Sequence, residues 1–395
     1  MQLKQKGKLS QALAVATCSL LSASAQAVDK NTSWDFTHLH YAEDGRVTVK
    51  EQVVSYTREQ SDEKSFSFKL YHDSISGATP NGAAPGDTYT SPSGQTYITD
   101  PGITPLHQFA DERIAATAEW KQQLGRLKSS KLGLSISDEL DYTSVGASYT
   151  RDRDTKNRMR TYQLGASVSL DQINAEGGIP TPLAPSTDTT RYESDNKVTV
   201  DLLAGMTQVL NRKSLLQLNY SMGLSSGYLT DPYKFISVNG SGVDPLQFES
   251  RPASRWSHSF FARGLFNRKG DVAKVSYRLF VDDWGILSHT LEGRYRYKRK
   301  KNGWSLQPHL RIYTQKAANF YGYIFFQDTP VSSYASSDYR LGNLQTVTIG
   351  LYANRKLSHK REFGIRVEYM QQSDRAGWFD TVDTLIAQIS YKYDK

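Results

Sequence analysis

The chain has 395 residues, with 48 Lys and Arg against 40 Asp and Glu and a formal net charge of +8. So mild a balance gives no ground for a nucleic-acid partner, which needs a concentrated basic face. The single cysteine, Cys18, lies in the N-terminal leader. If it leaves with that leader, disulfides, thiolate zinc sites and cysteine nucleophiles are excluded from what is left.

The leader itself is read first. Lys4, Lys6 and Lys8 precede a short apolar run from Leu9 to Leu21, and Ala25-Gln26-Ala27 forms an A-x-A cleavage site. This is the pattern of a secretory signal peptide. It predicts a leader of residues 1–27 and a mature single domain of residues 28–395, with 368 residues and a net charge of +5. A lipoprotein signal through Cys18 fits less well, because Thr17 is a poor residue before a lipidated cysteine and the A-x-A site lies at a more usual distance.

No later stretch approaches the ~20 apolar residues of a membrane helix. The mean hydropathy is −0.56. That value does not exclude a membrane protein, because a strand facing lipid with alternate residues needs only half of them apolar. Val198 to Leu224 carries such a pattern. Val198, Val200, Leu202, Ala204 and Met206 alternate with polar or small residues, Asn211-Arg212-Lys213 interrupts, and Leu216, Leu218, Tyr220, Met222 and Leu224 resume. A period of two puts the apolar side chains on one face of a strand. Each limb has about the ~9–11 residues of a tilted strand crossing a bilayer.

The same alternation opens at Trp34 and Phe36, turns at Asp44-Gly45, and returns from Val47 to Thr57. It continues through Phe66-Phe68-Leu70, Ile114 to Trp120, Leu132-Leu134-Ile136, Val145-Ala147-Tyr149 and Tyr162 to Leu170. Beyond the Val198–Leu224 hairpin, Trp256 to Phe266, Val275 to Val281, Leu291 to Tyr297, Leu306 to Ile312, Val347-Ile349-Leu351, Phe363 to Tyr369 and Leu385 to Tyr393 follow. These segments predict an all-β fold, a transmembrane antiparallel up-and-down β-barrel of about 16 strands (14–18). With the N-terminus periplasmic, the long connections 77–106, 173–196, 227–254, 317–340 and 371–381 all fall on the extracellular side. The other side has short, largely basic turns. An unpaired strand edge is costly in hydrocarbon, so the last strand must pair with the first. Trp34, Trp120, Trp284, Trp304 and Trp378 suit interfacial aromatic girdles. The terminal Tyr391 and Tyr393 are similar to the signal read by the barrel-assembly machinery, although Asp394 and Lys395 follow them.

Four stretches at the outer ends of strands carry a family resemblance. They are Ser76–Ala83, Gly227–Lys234, Asp282–Thr290 and Tyr334–Gly342. With the leader, they resemble the bacterial family known only as domain of unknown function 3570. The resemblance covers the whole mature chain and implies an integral outer-membrane protein of Gram-negative bacteria, in contact with lipid and lipopolysaccharide. It implies no activity, cofactor or catalytic residue.

Function must then come from the polar faces. From the tenth strand to the thirteenth they present Arg255, Arg263, Lys274, Arg278, Arg294, Arg296, Lys298, His309 and Arg311, a basic lumen wall if those faces point inward. Asp73, Asp111, Glu119 and Asp201 would face it. Rings of Arg and Lys bias a pore toward anions. The alternative is that Glu292, Asp282 and Glu368 pair with these cations and fill a plugged barrel. In the outer motifs, Asp231, Asp282, Asp283 and Asp338 offer oxygens for Ca²⁺ but lack any EF-hand spacing. A loop lock, in which Asp231 and Asp338 accept from Arg251, Arg340 or loop amides, accounts better for them. No metal or cofactor is expected. Phe320, Tyr321, Tyr323, Phe325 and Phe326 form an apolar loop segment that either constricts the mouth, docks on lipopolysaccharide or a partner, or packs on neighbouring loops.

An enzyme reading is weak. His38 and His40 share a strand face, whereas Ser288 and His289 point to opposite faces and cannot easily serve each other. No phosphate-cradling loop or metalloprotease motif is present. The residues therefore favour a porin-like channel for small polar solutes with an anion bias, monomeric or a homo-oligomer. A plugged barrel serving as a surface scaffold or assembly partner is the second reading, and an outer-membrane enzyme the third.

Overall fold

A computed structural model describes residues 32–84, 88–90, 96–98, 105–239, 246–298, 303–326, 333–376, 379 and 381–395. The leader and Trp378 lie outside the described residues.

Sixteen antiparallel strands form a closed barrel in sequence order. They are β1 Thr32–Glu43, β2 Val47–Ser61, β3 Lys64–Pro80, β4 Leu106–Gly125, β5 Lys128–Glu139, β6 Tyr142–Asp154, β7 Arg160–Ile173 and β8 Asp195–Asn211. Then come β9 Ser214–Gly227, β10 Ser254–Arg268, β11 Asp271–Asp282, β12 Leu287–Lys298, β13 Trp304–Lys316, β14 Leu344–Ser358, β15 Arg361–Asp374 and β16 Val382–Asp394. The β8–β9 hairpin pairs in the expected register, with Val200 opposite Leu224 and Leu202 opposite Met222. The last strand closes on the first, Trp34 opposite Tyr393 and Phe36 opposite Tyr391. Every ladder thus has a partner on both sides, the condition for a sheet in hydrocarbon.

The apolar residues of the alternation face out. Leu134, Val145, Leu164, Leu202, Phe260, Leu291, Leu310, Ile349 and Leu385 are all exposed on the barrel's outer surface. Between them the inward positions carry Ser, Thr, Gly, Asp and Arg. Aromatic rings collect near the short-turn end, where Trp34 stacks obliquely on Tyr56 (4.7 Å) and Phe66 on Trp120 (5.2 Å). Trp284 departs from the girdle expectation. It is buried in a loop cluster with Ile286, Ala318 and Leu341, its Nε1 donating to Ser254 O at 2.9 Å. It sits just past the end of β11 in a four-residue connection, where alternation no longer decides its side.

The two rims differ as expected. At one rim the connections 62–63, 126–127, 212–213, 269–270 and 359–360 are two residues long. At the other, residues 81–105, 174–194, 228–253 and 317–343 join strands through long segments. In the outer-membrane barrel's asymmetry that second rim is extracellular. β4 (20 residues) runs longest, followed by β3 and β8 at 17 residues each.

If lipid meets the even residues of β8, Leu202→Arg should lower the unfolding free energy in lipid vesicles by about 2–4 kcal/mol. Asp201→Asn, one residue away on the inner face, should change it far less. Urea titration followed by tryptophan fluorescence measures both.

Candidate functional site

Two constructions stand out: a basic wall inside the barrel and a cap across its outer mouth. The wall follows from strand parity. On β10, β11, β12 and β13 the outward residues include Phe260, Tyr277, Leu291 and Leu310, so Arg263, Lys274, Arg278, Arg294, Arg296, Lys298, His309 and Arg311 face the lumen.

Some of this charge is compensated. Arg294 pairs with Glu292 (2.5 Å), and His309 reaches Glu368 (2.9 Å) and Glu292 (3.5 Å). The reach from β13 to β15 crosses β14 at Gly350, which lies in register between His309 and Glu368. A Cβ there would lie 2.4 Å from Glu368 Cγ, so only glycine leaves the carboxylate its path. Other cations are not compensated. Among the described residues, Arg263, Lys274, Arg278, Arg296 and Arg311 have no carboxylate within 4.0 Å. Lys274 even stands directly opposite Arg294. Like charges so placed destabilise a strand pair. Arg263 and Arg278 lie over the Phe261 ring (4.9 and 5.7 Å), which holds their guanidiniums against the wall.

The sector beside it is lined largely by small residues. Gly133, Gly146, Gly165, Gly205 and Gly223 take inward positions on β5 to β9, with Ser135, Ser148 and Ser167 among them. Of the four expected acids, Asp201 stands here beside Ser167 (3.3 Å) and Glu119 also points inward. Asp73 is buried in an ion pair with Arg113, and Asp111 is buried. Two further corrections concern the basic residues. Arg255 belongs to the mouth, where it holds Asp282 (2.5 Å) and covers the Trp284 ring (4.6 Å). Arg366, missed in the sequence, faces inward on β15 in line with Glu362 and Glu368; the alternation there would have found it.

The cap is built from the long connections. Residues Phe235–Asn239 pair with Leu246–Phe248 and with Ile324–Phe326 in a three-stranded sheet of their own. Phe235, Leu246, Phe248 and Ala83 form one buried cluster, and Ile236, Val238 and Ala335 another. Connection 228–253 starts at β9 and crosses to the end of β3, where Phe235 N donates to Asn81 O at 2.9 Å. Gly82 has φ +93, and a Cβ would lie 2.1 Å from Phe235 O, so this crossing requires glycine. Tyr233 donates its hydroxyl to Asp141 Oδ2 (2.7 Å) and accepts from Glu176 N (2.8 Å). Tyr339 lies under Arg46 and beside Phe379, and Phe320 meets Trp284 edge-on. All eight outer connections are thereby tied to one another.

A balanced charge network holds the centre. Arg251 bonds Glu249 (2.7 Å) and Asp338 (2.8 Å), while Arg340 bonds Asp231 and Asp338, each at 2.8 Å. Buried Lys234 donates to Pro80 O and Thr79 Oγ1. Burial alone would raise the Asp338 carboxyl, but Arg340, Arg251 and Lys234 hold it well below the usual carboxylate range. Burial pushes the Lys234 ammonium down despite Asp338 and Asp231 nearby. Lys234 and Glu249 had no assigned role in the sequence; the partners of Lys234 lie over 150 residues away, and Glu249 itself stands outside the four motifs.

The four outer aspartates do not converge. Asp282 Oδ1 accepts from Ile286 N and Asp283 Oδ1 from Trp256 N, away from the Asp231–Asp338 pair. Among the described residues no group of three metal-ligating side chains occurs. The apolar segment lies within the cap. Tyr321 joins the Trp284 cluster, Tyr323 packs on Phe379 and Phe325 on the Ile236 cluster, so only Phe326 (57% exposed) stays on the surface. His289 faces outward with Tyr277 (2.7 Å), and Ser288 is buried on the opposite face.

An apolar outside, a polar inside and a sheet without edges define a transmembrane β-barrel of the outer-membrane type. The chain belongs to the family of proteins of unknown function DUF3570, whose signature matches residues 10–392. No curated protein matches the sequence. Among solved structures, CdiB from Acinetobacter baumannii is similar, with a TM-score of 0.50 at 7% identity over 92% of this chain and 61% of that one. OccD3 (OpdP) of Pseudomonas aeruginosa has a TM-score of 0.45 at 9% identity over 92% of this chain and 91% of its own. The CymD monoaromatic hydrocarbon channel has a TM-score of 0.43 at 8% identity over 93% and 89%. At such identities the likeness concerns the fold alone.

Removing Arg340 leaves Asp231 without its guanidinium and buried Asp338 with one fewer. Arg340→Ala should loosen the cap by on the order of 3 kcal/mol. Limited proteolysis of the reconstituted protein should then cut within residues 228–253, while the barrel keeps its folded mobility on unheated gels.

Proposed function

We propose that the protein is exported to the bacterial outer membrane and forms a channel there for small polar solutes, with a preference for anions. One observation carries the reading: Arg263, Lys274, Arg278, Arg296 and Arg311 face the lumen without a carboxylate in ion-pair reach among the described residues. Charges that only braced a filled barrel would be paired, because like charges in neighbouring strands repel. Unpaired cations along a narrow, low-dielectric passage instead raise the local concentration of anions. The Ser- and Gly-lined sector beside the basic wall leaves room for a hydrated solute.

A second reading has its own observation. The cap joins all eight outer connections, so a barrel that serves as a scaffold, with its mouth held shut, also fits. Planar-bilayer recording separates the two. The channel gives steady conductance steps whose reversal potential in a KCl gradient moves toward that of chloride. Replacing Arg278, Arg294 and Arg296 together by Glu should move it toward potassium. An unchanged preference would remove this wall as the filter, and silence from folded protein would favour the scaffold.

A further inference from the structure

The outer surface of the barrel is not apolar all the way round. On β1 the outward positions run Trp34, Phe36, His38, His40 and Ala42 from the girdle to the outer turn, so His38 is the middle one. On β2 Gln52 and Lys50 lie opposite His38 and His40, and on β3 His72 lies opposite Gln52. On the other side of β1, His38 and His40 face Ile389 and Ala387 of β16, which keep the ordinary apolar pattern. From the middle of β1 to the end of the apolar run on β3, three adjacent strands exchange hydrocarbon for imidazole, amide and ammonium.

These groups form a bonded ladder. Gln52 Nε2 lies 3.5 Å from His38 Nδ1, and Gln52 Oε1 lies 2.7 Å from His72 Nδ1. An amide nitrogen only donates and an amide oxygen only accepts. His38 Nδ1 is therefore the acceptor and His72 Nδ1 the donor. Among the described residues, the Nε2 atoms of both rings have no bonded partner, and His38, Lys50, Gln52 and His72 are exposed. Acyl chains offer nothing to such groups, and polar residues at this depth are heavily penalised.

We propose that a second copy of this barrel packs against the outer face of β1–β3. The partner must sit in the same bilayer and offer polar atoms at the same depth. A copy related by a two-fold axis does both by construction, since it brings the same ladder to the same height. One ring's Nε2–H then meets an acceptor of the other copy. Phe36 and Val54, below the ladder, supply apolar contact across the same axis. A lipopolysaccharide headgroup would bind at the outer rim, above Ala42, and leave His38 and Gln52 in acyl chains.

The test uses the whole chain in membranes. Val54→Cys, just below the ladder, treated with a short bis-maleimide should give a cross-linked pair, whereas Phe260→Cys, outward on β10 across the barrel, should stay single. Native mass spectrometry from detergent should give twice the chain mass. The combined His38→Leu, Gln52→Leu and His72→Leu variant should shift at least tenfold toward the single chain while keeping folded mobility on unheated gels. Equal reaction at both cysteines, or a native mass of one chain with or without bound lipopolysaccharide, would overturn the proposal. Should the leucine variant fail to insert, the cysteine pair decides alone.

Discussion

Hydrocarbon cannot solvate a peptide group, and the rest of the structure follows from that. Each unpaired backbone N–H or C=O in the bilayer core costs several kcal/mol, so a membrane sheet has no tolerable edge. The pairing of β1 with β16 meets this requirement, and it fixes an even strand number, with the start of β1 and the end of β16 at the short-turn rim. Once the sheet is closed, strand parity sorts side chains without further instruction: one set meets lipid and the other lines the passage. The basic wall and the glycine-lined sector beside it are two parts of that second set.

Most of this was readable in the chain because a period of two needs only neighbouring residues. Val198 to Leu224 contains its own hairpin, register and facing, and all three recur in the structure. Trp284 shows where the reading stops. An aromatic ring so near a strand end suggested a lipid girdle, but its even number is out of step with the outward Tyr277 and Leu279, the strand ends at Asp282 and the ring turns into the loops. Arg255 was given to the lumen on parity, which is right for its face. Its height in the barrel places it against Asp282 at the mouth, and parity says nothing about height.

The cap was less legible for a different reason. The four outer motifs could be picked out as unusual, but not assembled, because their partners are remote in sequence. Phe235 meets Asn81, Arg340 meets Asp231 and Tyr233 meets Asp141, each contact spanning about a hundred residues or more. No local periodicity encodes such a meeting. The aspartates pointed to strong polar bonding, and which cation each would find was open between Arg251, Arg340 and a metal. A buried network of three cations and three carboxylates is a poor source of stability but a good source of specificity. Here it fixes which loops lie over the passage, and so joins the outer motifs to the lumen beneath.

The account stands on the even residues of β8 meeting lipid and the odd ones meeting water. Single cysteines from position 198 to 206, labelled with an environment-sensitive dye in protein reconstituted into vesicles, test this directly. The expected emission alternates residue by residue, blue-shifted and quenched by brominated acyl chains at 198, 200, 202, 204 and 206, and water-like at 199, 201, 203 and 205. Uniform emission, or quenching from the lipid on the odd positions, would contradict it.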